Sequence, residues 1–295
     1  MTITLHSDLL TVQAETLGAQ LTSIRTKEGV ELLWQADPAI WGRHAPLLFP
    51  IIGRLRDGKY TVGGEEYAIS QHGFGRDSEF QVTEQTDTSV TFQLEDSPET
   101  RAKYPFAFCL QVTYTLEGGK LTKTHTVRNR SQETMYYEVG GHDGFCTTLL
   151  PGEKMEDYYL EFPGLTEIAP FGMNEQNFFT KDKKVYPLQK GGRLPLPPQV
   201  FGLDTVVLEQ MPVHQVTLAN EKNPIRLTMD FDQFDYLGIW TKPSEEPTHY
   251  ICIEPWTTLP ECEFTDSALE HKPGIRVLAP GQEEQLSYQV TVSGI

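Results

Sequence analysis

A chain of 295 residues with 38% hydrophobic and 22% charged side chains has the composition of a folded globular protein, with length for one large domain or two ordinary ones. The 24 Lys and Arg against 41 Asp and Glu give a formal charge of -17, whose field repels polyanions, and the absence of a basic cluster sets nucleic acid aside as a partner. A neutral substrate fits this field, and a local basic pocket would still admit a small phosphorylated one.

The opening residues MTITLHSDLLTVQAE lack the basic region and apolar core of a signal peptide, and no apolar run approaches the roughly 20 residues that span a bilayer. The expectation is a cytoplasmic protein with no membrane contact. In that compartment Cys109, Cys146, Cys252 and Cys262, with no CxxC pair among them, are expected to be reduced structural thiols.

Along the chain, HAPLLFPIIGRLRDGKY carries apolar residues and prolines up to Arg54, then a turn at Asp57-Gly58. An arginine beside Gly53 can extend a planar, permanently charged donor fork into a cleft, or simply end a strand in solvent. QHGFGRDSEF follows, with His72 between an amide and a glycine. In FQVTEQTDTSVTFQL apolar residues alternate on either side of a polar turn. Phe108, Leu110, Val112, Tyr114 and Leu116 then share one strand face before Glu117-Gly118-Gly119 turns the chain into LTKTHTV, which reads as a hairpin. His125 alternates with threonines there, as an ordinary strand position.

YYEVGGHDGFCTTLL places His142 after Gly140-Gly141, where close backbone approach can expose a side chain in a groove. From Pro151 to about Val200 the periodicity weakens, and long loops with short strands are expected; such loops often carry function. Strand patterns return in VTLANEKNPIRLTMDF, FDYLGIWTKP, HYICIEPWTTLP and QLSYQVTV. No segment holds a clear helical period between caps, so the chain reads as all-β: many hairpins without a linker, forming one large antiparallel β-sandwich domain over residues 1–295.

Three side chains stand out chemically. His72 and His142 are each flanked by glycine with a phenylalanine close behind; either alone would more often be a structural hydrogen bonder. Glu254 interrupts the run Tyr250 to Ile253 before Pro255 and Trp256, so a partly desolvated carboxylate at a strand end is a candidate general base. Trp240 and Trp256 offer flat apolar faces to a sugar ring. GxSxG, HExxH and phosphate-cradling glycine loops are absent, and His72, His142 and Glu254 have no close-spaced ligand pair, so no metal is expected.

In their order and spacing, FPIIGRLRDGKY, QHGFGRDSEF, EVGGHDGFCTTLL, FGLDTVVLE, FDYLGIWTKP and CIEPWTTLP resemble the aldose 1-epimerase (galactose mutarotase) superfamily, most closely its LacX-like branch, over essentially the whole chain. The resemblance implies a β-sandwich of the galactose mutarotase type, a hexose as substrate, and no metal or organic cofactor. It implies Arg54 as a contact to sugar hydroxyls, His72 as a holder of substrate near the ring oxygen, His142 as general acid, Asp204 as a sugar-positioning carboxylate and Glu254 as general base.

Gly53 before Arg54 and Asp143 after His142 depart from well-characterised galactose mutarotases and bear on sugar identity. A hexose-6-phosphate 1-epimerase, with Arg76 and Lys242 as possible phosphate contacts, and a non-catalytic carbohydrate-binding protein of the same fold are the alternatives. A glycosidase, which needs paired carboxylates such as Glu254 and Asp204, ranks third. A monomer or a homodimer is compatible with these readings.

Overall fold

The computed structural model describes residues 1–197, 205–244 and 248–295; Asp204 lies outside the described residues. Strands take up 48% of the chain and helices 6%. The hairpin read at Glu117-Gly118-Gly119 is present: Phe108–Glu117 pairs with Lys120–Asn129 in a register that sets Leu116 opposite Leu121. Ser89–Glu95 and Gln81–Gln85 extend it on one side, and Glu283–Ser293, Arg226–Asp230, Gln215–Asn220, Tyr158–Glu161 and Arg193–Pro195 on the other, all antiparallel. A second antiparallel sheet runs Asp143–Cys146, Tyr250–Trp256, Tyr236–Trp240 and Val206–Glu209.

Strand alternation gives each sheet one apolar face, and the two faces meet. Leu110, Val112, Tyr114 and Leu116 from the large sheet share one core with Phe145, Ile239, Ile251 and Ile253 from the smaller. Side chains such as Phe108 and Phe92, with no exposed surface, each contribute about 1.5–3 kcal/mol through burial. The segment after Pro151 forms short strands, among them Glu167–Ile168, Phe171–Met173 and Phe179–Lys183, as its weak periodicity predicts.

Inward positions on the strand Lys120–Asn129 break the apolar rule. In Lys120–Asn129 the threonines at 122 and 124 face outward, so Lys123 and His125 are forced inside, 2% and 0% exposed. Lys123 Nζ lies 3.7 Å from Asp143 Oδ1, and the Tyr288 hydroxyl donates to Asp143 Oδ2 at 2.7 Å. The rings of Tyr114 and Tyr288 each stand 5.7 Å from Nζ. Burial drives the Lys123 pKa down and the Asp143 pKa up, each against the pull of its partner.

A buried ion pair adds little over apolar residues of the same shape, but removing one partner strands the other charge. Asp143→Ala is therefore expected to cost about 3–5 kcal/mol in urea unfolding, with most of that loss recovered in the double variant Lys123→Met, Asp143→Leu. A single-variant loss below about 1 kcal/mol would show that Lys123 is not held as a buried charge.

Candidate active site

The pairing of Asp143–Cys146 with Tyr250–Trp256 sets Asp143 against Ile253 and Gly144 against Cys252. Adjacent strand residues point to opposite faces, so Asp143 and Ile253 enter the core while His142 and Glu254 emerge together on the other side. There His142 Nε2 lies 3.3 Å from Glu254 Oε1. Glu254, expected at a strand end, sits within a strand: pairing runs through Pro255 to Trp256, and the Pro255 carbonyl accepts from the Gly141 N–H at 3.1 Å.

His72 arrives from the loop between strands with φ of +64°, a conformation costly for any residue with a side chain. Reciprocal contacts hold it. Its N–H donates to the Gly53 carbonyl at 2.9 Å, and the Gly53 N–H donates to Nδ1 of the imidazole at 3.1 Å. Gly53 itself has φ of +69°, and a Cβ there would stand 2.4 Å from Pro260 Cβ. The His72 ring meets that of His142 edge to face, with centroids 5.5 Å apart.

These residues open on a cleft of about 300 Å³, also lined by Arg54, Trp240 and Trp256, so that every described site residue expected from the sequence borders one cavity. Trp256 is only 2% exposed, because its ring is wedged over Gly238, where a Cβ would come within 2.5 Å of it. The available aromatic wall is Trp41 with Trp240. Trp41 stacks on His142 at 5.1 Å and on Tyr250 at 5.2 Å, and Trp240 meets Trp41 and His142 edge-on at 5.5 and 5.6 Å. Trp41, Arg43 and Gln71 were not anticipated as lining residues. The tripeptide Trp41-Gly42-Arg43, in a stretch without strand period, was the available signal. Met173, Asn177 and Phe179 bring the long segment after Pro151 to the rim.

Burial leaves its mark on both histidines. His72 is held well below the usual imidazole range by burial first, then by His142 and the guanidiniums of Arg76, Arg43 and Arg54, so it is neutral. With Nδ1 accepting from Gly53, its proton sits on Nε2. That nitrogen faces the Gln71 amide nitrogen at 3.2 Å, while the Gln71 carbonyl oxygen accepts from Arg54 Nε at 3.3 Å. Two donors therefore converge and can share an acceptor oxygen supplied from the cleft. Burial likewise pushes His142 down to about 3, which disfavours its imidazolium.

Metal-ligand types also meet here, since His142, Cys252 and Glu254 present donor atoms within 4.8 Å of one another. Burial, aided by the carboxylates of Glu254 and Asp143, holds the Cys252 thiol well above its usual range. Among the described residues no helix is long and apolar enough to cross a membrane.

The sequence pattern of the aldose 1-epimerase family matches residues 1–291. The chain belongs to the aldose 1-epimerase family. It is 36% identical over 299 residues to the plasmid-encoded LacX protein of Lactococcus lactis subsp. lactis, covering 99% of each chain. A galactose mutarotase related enzyme from Lactobacillus acidophilus superposes with a TM-score of 0.93 at 34% identity, covering 99% of this chain and 97% of that one. A galactose mutarotase-like protein from Lactobacillus casei gives 0.89 at 32% identity, covering 99% and 100%.

The tight seat of Gly53 makes a specific demand. Gly53→Ala combines an unfavourable φ with overpacking on Pro260, and a loss of about 1–3 kcal/mol in thermal or urea unfolding is expected. An unchanged midpoint would mean that the Gly53 and His72 loops are not locked together as described.

Proposed function

We propose that the cleft interconverts the α and β anomers of an aldose through ring opening, with Glu254 as general base and His142 as general acid. The observation that carries this reading is the 3.3 Å contact between His142 Nε2 and Glu254 Oε1 on the floor of a cleft walled by Trp41 and Trp240.

Opening a pyranose requires a proton to leave the anomeric hydroxyl and another to reach the ring oxygen. Glu254 accepts the first as the C1–O5 bond breaks and the carbonyl forms; the imidazolium of His142 gives the second to O5. The aldehyde turns about C1–C2, and reversal of both transfers closes the ring from the other face. The pair holds one proton throughout, and closing the ring restores it to His142. His72, neutral and carrying its proton on Nε2, donates with Gln71 to an oxygen of the substrate and fixes the ring. Arg54 adds a charged donor to a sugar hydroxyl, and the aromatic wall covers an apolar ring face.

Each positioned proton transfer is worth roughly 10² to 10⁴ in rate. Polarimetry of freshly dissolved α-aldose tests the reaction: exchange is expected to be faster with protein than in buffer. Glu254→Gln should lose about 10²–10⁴ of that acceleration while keeping calorimetric sugar binding. Full activity in this variant removes Glu254 from the base role, and sugar binding without acceleration by the unaltered protein would identify a carbohydrate-binding protein instead.

The pH profile tests His142. Its folded pKa, about 3, lies below the ordinary 6.5, so the imidazolium fraction falls about tenfold per pH unit over the working range. Accordingly kcat/KM should rise as the pH is lowered from about 8 to about 5, and this slope should vanish with the activity in His142→Asn. A profile for the unaltered protein that is flat or rises toward alkaline pH would rule out His142 as acid.

A further inference from the structure

In a chain of formal charge -17, the cleft is lined by Arg43, Arg54 and Arg76. Among the described residues their counter-charges are few. Arg43 meets Asp77 at 2.8 Å, and Arg76 Nε stands 3.7 Å from the same carboxylate, beyond hydrogen-bond length. Among the described residues the buried Arg76 Nε has no hydrogen-bond partner, and Nη2 donates to a neutral group, the Gln71 carbonyl, at 2.7 Å. Arg54 is hydrogen-bonded to a neutral amide. Of the lining carboxylates, Glu261 is engaged by Arg56, through its backbone N–H at 2.8 Å and its guanidinium at 3.8 Å. Lys242 is not part of the group, because its Nζ donates to the Ile40 carbonyl.

The burial of Arg76 and its proximity to Arg43 both weaken its charged form, so these like charges face one another at an energetic cost. A cleft for an uncharged sugar gains nothing from that cost. We propose that the physiological substrate is an aldose with an anionic substituent, phosphate or carboxylate, on the exocyclic carbon, bound between Arg43 and Arg76. The position follows from the mechanism, on which this inference rests. Arg76 and Arg54 both donate to Gln71, the neighbour of His72, and Arg43 meets Arg76 at Asp77, so the three guanidiniums line the cleft beside His72, the residue assigned to the ring-oxygen side. One carbon attached to that oxygen is the anomeric carbon facing Glu254; the other carries the exocyclic carbon and so brings its substituent toward the arginines.

The test compares kcat/KM for anomer exchange of glucose and galactose with their 6-phosphates and with the corresponding hexuronates, at low and high salt. At low ionic strength at least one anionic series should exceed its neutral parent by about tenfold or more, and the advantage should shrink in salt. Arg43→Gln, a change at a half-exposed side chain, should cut the anionic-to-neutral ratio about tenfold; the ratio discounts any general loss of activity. A preference for 6-phosphates or for hexuronates then identifies the substituent. If neutral hexoses are turned over as well as both anions and Arg43→Gln leaves the ratio unmoved, the anion assignment falls while the mutarotase reading stands. Should no aldose be accelerated, calorimetric binding of a hexose 6-phosphate or hexuronate that is lost in Arg43→Gln would keep the anion site and sink the catalytic reading. Neither acceleration nor binding would overturn both.

Discussion

The register between Asp143–Cys146 and Tyr250–Trp256 is the constraint from which the site follows. A pairing that sets Asp143 against Ile253 sends those two inward and leaves His142 and Glu254 outward, close enough for a 3.3 Å contact. Since side chains alternate with period two, a slip of one residue would bury the wrong member of each pair. The register is guarded from below: in the core Asp143 stands 3.7 Å from Lys123 and accepts a hydrogen bond from Tyr288.

A second buried carboxylate links the loops that carry the remaining groups. Glu138, with no exposed surface, accepts from the Ile52 N–H at 2.7 Å and the Thr258 hydroxyl at 2.7 Å, and pairs with Lys272 at 2.5 Å. Ile52 leads into Gly53-Arg54, Glu138 leads into His142, and Thr258 follows Glu254 and Trp256. One side chain thus couples three separate stretches of sequence. Such a group is costly to bury but, once satisfied, fixes loop positions that apolar contacts alone would leave loose.

The sheets were legible because their signal is local: alternation around Gly118-Gly119 and along the strand ending at Trp240 needs only neighbours in sequence. The histidines and the glutamate were legible only as a set in order, since neither His72 nor His142 carries a local mark that distinguishes chemistry from structure. What escaped has a common physical origin. Trp41, Arg43 and Gln71 sit in loops whose direction is set by distant contacts, such as Arg43 with Asp77. Trp256 reads like an exposed platform, yet Gly238 on the neighbouring strand lets its ring sink into the floor. His125 reads as an ordinary strand position and Lys123 carries no local mark, yet Thr122 and Thr124 take the outer face and Asp143 stands against the buried lysine.

The same arginines create a tension that bears on how the enzyme would choose its substrate. Arg43 and Arg76 both act to lower the His142 pKa, behind burial itself, and so oppose the imidazolium that the proposed ring opening would consume. A neutral sugar entering the cleft displaces water and leaves that opposition in place. An anion seated between the two guanidiniums, as proposed, would cancel much of their field at the histidine and make protonation of His142 less costly. Because a pKa shift of one unit corresponds to about 1.4 kcal/mol, even partial cancellation would move the competent fraction several-fold. Discrimination would then appear in kcat as well as in KM, which distinguishes an anion that assists the proton transfer from one that merely anchors the sugar.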